Sequence, residues 1–214
     1  MPNRILIDNQ CETFTGADRE MCLTKLGNIR KNQFSIHGLW PSNTSGTYLP
    51  WCNDGTNITA ADIAADSTNK PELYSNMSTY WTSYKESDAD FWIHEYNKHG
   101  HCYNMRYNKT EFSDYFAFTV NHFISNALGE IFLKAFYKSA NSLIDIHKTE
   151  LDVILQSLYP GIQYKLICRS KDQRILLSEI YIIYDVDFGF LNTTYTHTDA
   201  SCGSADDYIS ILFK

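Results

Sequence analysis

Residues 151–188 read LDVILQSLYPGIQYKLICRSKDQRILLSEIYIIYDVDF, and this stretch decides the fold class. Its first part has apolar residues at helical spacing, and Pro160 and Gly161 then mark a turn. Two runs follow, YKLICRS at 164–170 and ILLSEIYIIYDVDF at 175–188. Apolar and polar residues tend to alternate in them, and they are rich in Ile and Tyr, which is typical of strands. The stretch therefore predicts a helix followed by two antiparallel strands.

Outward from this stretch, helices and strands occupy separate parts of the chain. Residues 4–7 and 33–37 read as short strands, and residues 41–57 as a polar loop. The pattern over residues 59–158 is mainly helical, with helix starts predicted at Thr59, after Pro71, near Asp88, near Thr110 and after His147. This segregation predicts an α+β fold, with a single domain over residues 1–214 and a small antiparallel sheet flanked by helices.

The composition fits one compact domain, because 43% of the 214 residues are hydrophobic. No stretch approaches the roughly 18 consecutive apolar residues that a membrane span needs, so no membrane association is expected. The net charge of −7 counts against a protein that binds nucleic acid through a broad basic face. This net charge is compatible with an enzyme that needs only a few local cations at one phosphate.

Cysteines and glycosylation sequons indicate export. An even number of cysteines without C-x-x-C spacing favours three disulfides over a zinc site; they are Cys11, Cys22, Cys52, Cys102, Cys168 and Cys202. Five Asn-x-Ser/Thr sequons are candidate glycosylation sites: Asn43, Asn57, Asn76, Asn108 and Asn192. The first residues, MPNRILIDNQ, lack an apolar signal-peptide core, so a signal peptide has been removed or never existed. We expect a secreted protein, or one in the lumen of an acidic compartment such as a lysosome or vacuole.

Two short stretches concentrate the unusual chemistry: FSIHGLWPS at 34–42 and FWIHEYNKHGHC at 91–102. On a straight α-helix, at about 100° per residue, four polar side chains of the second stretch fall within about 140° of one another. They are His94, Glu95, Lys98 and His99. A lone histidine is more often structural than catalytic, but this stripe together with His37 provides the acid, the base and the cation that phosphodiester cleavage by a 2′-hydroxyl requires.

Metal binding is the rival use of clustered histidines. The zinc motif H-E-x-x-H has its ligands at i and i+4 of one helix face. Here His94 and His99 are five residues apart, and Lys98 occupies the i+4 position. A metal site that uses His37 with the helix histidines is compatible with the spacing, but Lys98 would repel the ion, so we predict neither a metal nor another cofactor.

On these residues the chain resembles the ribonuclease T2 family, through HGLWP and the W-x-H-E-x-x-K-H-G-x-C pattern, with further agreement from about residue 30 to the end. The resemblance implies that His37 and His99 are the acid–base pair and that His94 binds the phosphate. It also implies that Glu95 and Lys98 stabilise the phosphorane. Trp40 and Tyr48 match aromatics that stack on a nucleobase, although packing within the loop is an almost equal alternative for Tyr48.

The resemblance further implies the disulfides Cys52–Cys102 and Cys168–Cys202, which leaves Cys11–Cys22. Some positions depart from the family pattern. Ser42 stands where many relatives have an acidic or amide side chain, so their base preference is not transferred. Tyr96 replaces a tryptophan and is expected to fill core, and His101 replaces a threonine and is expected at the surface.

These observations predict a monomeric endoribonuclease of single-stranded RNA, with no action on DNA. It would cleave without a metal, through a 2′,3′-cyclic phosphate to 3′-phosphate ends, with broad base tolerance. The alternative is a catalytically idle secreted glycoprotein that uses the fold for binding or signalling. The presence of all five predicted catalytic side chains argues against this alternative.

Overall fold

A computed structural model of the chain describes residues 3–8, 34–42, 56–83, 85–130, 143–158, 160–171, 173–185, 187–188, 202–203 and 208–212. The strands in these residues are β1 (Asn3–Asp8), β2 (Ser35–Pro41), β3 (Leu143–His147), β4 (Gln163–Lys171), β5 (Arg174–Tyr184) and β6 (Tyr208–Leu212). The α-helices are α1 (Ala60–Asn69), α2 (Pro71–Tyr80), α3 (Asp88–Glu95), α4 (His101–Arg106), α5 (Phe112–Ser125) and α6 (Lys148–Leu158). A π-helical turn, Tyr96–Gly100, joins α3 to α4.

The strands form one sheet in the order β2-β1-β5-β6-β3, and β4 pairs with the other edge of β5. The pairs are antiparallel except for a parallel contact between β5 and β6 at Leu176 and Ser210. The prediction of an α+β fold with a small antiparallel sheet is confirmed, and β4 and β5 are its two predicted antiparallel strands. Two further strands, β3 and β6, were not predicted.

Strand β2 is longer than expected, because it continues to Pro41 instead of ending at His37. Its last residue pairs with Asn3 at the end of β1. Proline lacks the N–H that a central strand needs, and it is accepted here because β2 ends the strand order of the sheet. The predicted loop therefore begins after the strand, and residues 43–55 lie outside the described part of the chain.

The structure confirms the predicted helix starts. Thr59 accepts the backbone N–H of Asp62, whose carboxylate accepts the N–H of Thr59 in return, a reciprocal capping box. Pro71 is the first residue of α2, where its missing N–H costs nothing. The start predicted near Thr110 is at Phe112, because Glu111 provides the cap.

The core lies between the sheet and the helices, and α5 contributes several of its side chains. Tyr115, Phe116 and Val120 are fully buried. On β5, Ile180 and Ile182 are fully buried as well. Burial of an aliphatic or aromatic side chain of this size stabilises the fold by about 1.5–3 kcal/mol, so this cluster fixes the helices against the sheet.

One predicted disulfide, Cys168–Cys202, is present. Cys102 is also disulfide-bonded, and its predicted partner Cys52 lies outside the described residues, as do Cys11 and Cys22. Of the sequons, Asn57 and Asn108 are exposed and Asn76 is half-buried, whereas Asn43 and Asn192 are not among the described residues. None of the helices in the described ranges is long and apolar enough to span a bilayer.

Candidate active site

The helical part of the site is one continuous helix that changes its winding at its centre. The hydroxyl of Ser87 caps α3 by accepting the backbone N–H of Asp90 at 3.1 Å. The π turn Tyr96–Gly100 then inserts i→i+5 hydrogen bonding before α4 begins. Residues five apart are about 140° apart on a straight α-helix, and the wider turn brings His99 back towards the face of His94.

Strand β2 supplies the second half of the site, and two buried aromatic side chains hold its backbone. The hydroxyl of Tyr115 receives the N–H of Leu39 at 3.2 Å and donates to the Leu39 carbonyl at 3.1 Å. The indole Nε1 of Trp81 donates to the carbonyl oxygen of His37 at 2.7 Å. Because these bonds come from the helical layer, they fix the position of the β2 backbone relative to α3 and the π turn.

Glu95 joins the two halves. Its carboxylate is 1% exposed, and its Oε2 accepts the indole N–H of Trp40 at 2.7 Å. Its other oxygen, Oε1, lies 3.7 Å from Nε2 of His37. A Cβ atom on Gly38 would overlap Oε2 and would lie 2.7 Å from Nε1 of Trp40. Glu95 thus occupies the space that a glycine leaves open.

Trp40 lies at the centre of the group. Its ring stacks on that of His99, with centroids 4.6 Å apart and planes 20° apart, and it meets His37 edge-on at 5.3 Å. The Nζ of Lys98 lies 5.8 Å from the same ring, within the range of a cation–π contact. One indole therefore contacts both histidines of the predicted acid–base pair and also Lys98.

The electrostatics of the site are dominated by burial. Burial raises the pKa of Glu95 to about 8, against the opposing effects of the Trp40 hydrogen bond and of Lys98. Burial, together with the charges of Lys98 and His94, lowers the pKa of His37 to about 4. The same causes lower the pKa of His99 to about 3. At neutral pH the half-buried His37 and the buried His99 are accordingly neutral, and Lys98 supplies the positive charge.

The structure brings together all five predicted catalytic side chains. His37, Glu95 and His99 are in the contacts described above, and Lys98 lies over Trp40. His94 is exposed, and it is close enough that its charge lowers the pKa of both other histidines. Tyr48, the second predicted base-stacking residue, lies outside the described residues.

The expectation for His101 was wrong, and that for Tyr96 is confirmed. His101 is 8% exposed rather than at the surface, and its ring lies 4.7 Å from that of Tyr96. Tyr96 is 5% exposed and fills core as expected. The extra residue of the π turn shifts the phase of every later position of the helix, so a straight-helix projection misplaces His101.

The sequence analysis also missed side chains that border the site from the sheet. Tyr181 on β5 meets the ring of Trp40 edge-on at 6.0 Å, and Lys165 on β4 lies over Tyr181. The charge of Glu179, also on β5, contributes to the raised pKa of Glu95. Glu179 and Tyr181 lie in the run ILLSEIYIIYDVDF, which the sequence predicts as a strand, and strand register, through β1, turns them towards the face of β2 that carries Gly38. Within the described ranges, no three His, Cys, Asp or Glu side chains are grouped so that they could hold a metal ion.

Comparison with known proteins gives a match over most of the chain. The model of the Ribonuclease T2 family matches residues 6–202. A ribonuclease T2-like protein of Debaryomyces hansenii is 32% identical over 136 residues, which is 52% of this chain and 34% of that protein. Ribonuclease M of Aspergillus phoenicis is 28% identical over 196 residues, 83% of this chain and 79% of that protein. The chain thus spans about a third of the first relative's length.

The fold is also similar to that of solved ribonuclease structures. A crystal structure of a ribonuclease MC1 mutant in complex with 5′-GMP superposes with a TM-score of 0.70 at 21% identity, and covers 99% of both chains. At this identity the likeness concerns the fold alone.

Proposed function

The chain belongs to the ribonuclease T2 family, and on that premise we propose that it is an endoribonuclease of single-stranded RNA. It cleaves by metal-free acid–base transesterification through a 2′,3′-cyclic phosphate, which is then hydrolysed to a 3′-phosphate. The observation that carries the proposal is the group in which Trp40 contacts His37, Glu95 and His99. Acid, base and charge-stabilising side chains are thereby held in one place.

The first step needs two proton transfers. One histidine of the pair His37 and His99 takes the proton from the 2′-hydroxyl, whose oxygen forms a bond to phosphorus. The bond from phosphorus to the 5′-oxygen breaks, and the other histidine gives that oxygen its proton. In the second step the histidines exchange roles: water attacks the cyclic phosphate, its bond to the 2′-oxygen breaks, and a 3′-phosphate remains.

The charge of the site suits an anionic substrate. Burial keeps the histidine pair neutral at pH 7 while Lys98 remains nearby. An RNA phosphate brings negative charge, which raises the pKa of a nearby histidine and favours its protonated, acidic form. Substrate binding therefore creates the acid that the leaving group needs.

The remaining catalytic side chains act on the phosphorane. His94 is exposed at the mouth of the site and binds the incoming phosphate. Lys98 offsets the charge that develops in the transition state. Glu95, protonated at neutral pH because its pKa is raised to about 8, donates a hydrogen bond within the site rather than adding a negative charge.

Broad base tolerance follows from the way Trp40 is used. Its N–H is committed to Glu95 and one ring face is covered by His99. The rest of the indole, over which Nζ of Lys98 lies at 5.8 Å, offers a nucleobase a π surface, and stacking on such a surface tolerates every base. We propose that Tyr48 completes this stacking site.

Two further observations support the substrate and the location. The related fold of the ribonuclease MC1 mutant was crystallised with 5′-GMP, and we propose by analogy that this chain binds RNA nucleotides. The Cys168–Cys202 disulfide favours an oxidising environment, so we propose secretion or residence in the lumen of an acidic compartment.

The proposal is tested by the variant His99→Ala. Because proton transfer and phosphate binding are separate contributions, this variant should lose at least about 100-fold in turnover of single-stranded RNA while its RNA binding stays measurable. Thermal melting verifies that the variant is folded. Near-normal turnover by a folded variant would refute the assignment.

A further inference from the structure

A lysine and a tyrosine extend the site across the sheet, away from the helix that carries the catalytic residues. The antiparallel register aligns Gly38 on β2 with Leu6 on β1, Tyr181 on β5 and Lys165 on β4. Strands lie about 4.8 Å apart, so this row leads from the position beneath Glu95 to Lys165 over about 14 Å.

Side-chain contacts show that this row faces the catalytic group. The ring of Tyr181 meets that of Trp40 edge-on at 6.0 Å. The Nζ of Lys165 lies 5.9 Å from the centroid of Tyr181, so the tyrosine ring holds the ammonium group by a cation–π contact. Both residues are half-buried.

The charge of Lys165 is available to a ligand. In the described part of the chain no carboxylate forms an ion pair with Lys165. The nearby acidic residue on the same strand as Tyr181, Glu179, is 9% exposed. On a protein with a net charge of −7, an unneutralised lysine beside the catalytic group is the feature that a polyanion would use.

We infer that Lys165, positioned by Tyr181, binds a backbone phosphate of the RNA other than the one that is cleaved. The inference rests on the proposed function and adds a second phosphate site to it. Lys98 serves the cleaved linkage on one side of Trp40, and Lys165 serves the continuing strand on the other side. The site therefore favours longer RNA over the shortest cleavable substrate.

The experiment compares two substrates: a 20-nucleotide single-stranded RNA and a dinucleoside monophosphate, which has no phosphate besides the cleaved one. Lys165→Gln should lower kcat/KM for the long RNA about fivefold, and should reduce the slope of log kcat/KM against log salt by about 0.7. It should leave the dinucleoside monophosphate unaffected. Lys109→Gln is the matched control, since Lys109 is an exposed lysine on the turn after α4 and its loss changes the net charge equally.

Tyr181 is tested with two variants. Tyr181→Phe keeps the ring beneath the ammonium group, so the ratio of kcat/KM for the long RNA to that for the dinucleoside monophosphate should be retained, whereas Tyr181→Leu should reproduce the length-dependent loss of Lys165→Gln. Equal behaviour of Lys165→Gln and Lys109→Gln on the long RNA would overturn the inference, as would an equal loss on both substrates. Failure of the unaltered, folded protein to cleave either substrate would instead overturn the proposed function.

Discussion

Gly38 and Glu95 are 57 positions apart in the sequence, yet the carboxylate of Glu95 fills the space where a side chain on residue 38 would begin. The same carboxylate accepts the indole N–H of Trp40 and lies beside His37. The glycine is thus required by a close approach between the strand and the helix. This relationship determines how near the two halves of the site come.

Gly38→Ala should inactivate the protein without unfolding it. The new methyl group displaces Glu95 and with it Trp40, and a displacement of about 1 Å in an active site costs on the order of 100-fold in rate. Steady-state cleavage of single-stranded RNA measures this loss, and thermal melting controls for folding. If the mechanism is right, Gly38→Ala adds little to Glu95→Ala in the double variant, because both act through one carboxylate. Fully multiplicative effects would contradict it.

Trp40→Phe separates the two uses of the indole. The phenyl ring still covers His99, but Glu95 loses its hydrogen-bond donor. We expect kcat to fall about tenfold, which corresponds to the free energy of one buried hydrogen bond. Trp40→Ala removes the stacking as well and should lose more. Tyr80→Phe is the control, since Tyr80 packs on Phe123 in the core. An unchanged kcat in Trp40→Phe would show that the bond to Glu95 is not used.

The pH dependence of stability follows from the signs of the pKa shifts. The pKa of Glu95 rises from an ordinary 4.5 to about 8, so the folded chain keeps a proton that the unfolded chain releases, and stability is lost as pH rises through this range. For His37 and His99 the pKa falls from 6.5 to about 4 and about 3, so stability is lost as pH falls below 6.5.

Glu95→Gln tests the alkaline side of this profile. The amide can still accept the Trp40 bond but does not titrate, so the melting temperature of this variant should fall less than that of the unaltered protein between pH 5 and pH 8. Melting curves at each pH measure the difference. Parallel profiles for the two proteins would show that Glu95 has an ordinary pKa.

The helices and the two long strands were predictable from local signals. Thr59 and Pro71 mark helix starts by their own chemistry, and Pro160 with Gly161 separates α6 from the alternating residues of β4 and β5. Each of these signals depends on only a few neighbouring residues, so it can be recognised in the sequence without the fold.

What the sequence did not predict depends on distant contacts. The five residues Leu143–His147 form a strand because they pair with Tyr208–Leu212 more than 60 positions later. The π turn has no local signature, and for that reason the burial of His101 was missed. The residues of the site were predictable by type and spacing, whereas the approach of Glu95 to Gly38 and of Tyr181 to Trp40 required the packed fold.

Removal of the Cys168–Cys202 disulfide should lower stability without altering chemistry. The bond closes a loop with a sequence separation of 34. Because it lowers the entropy of the unfolded chain, a loop of this length should add about 4 kcal/mol to the free energy of unfolding. Urea unfolding of the double variant Cys168→Ser, Cys202→Ser measures this loss. Cleavage assayed at a temperature where the variant is folded should be retained, because the catalytic residues lie on β2, α3 and the π turn. A loss of less than about 1 kcal/mol would mean that the unfolded chain is already constrained.

The masses of the first products show whether the histidine pair around Trp40 cleaves RNA without a metal. The purified protein, folded and with its disulfides intact, is incubated with single-stranded RNA in excess EDTA at acidic and neutral pH. We expect fragments that end in 2′,3′-cyclic phosphate and convert slowly to 3′-phosphate. Intact RNA would contradict this expectation and favour an idle binding glycoprotein, and cleavage that appears only after a metal is restored would contradict the metal-free mechanism.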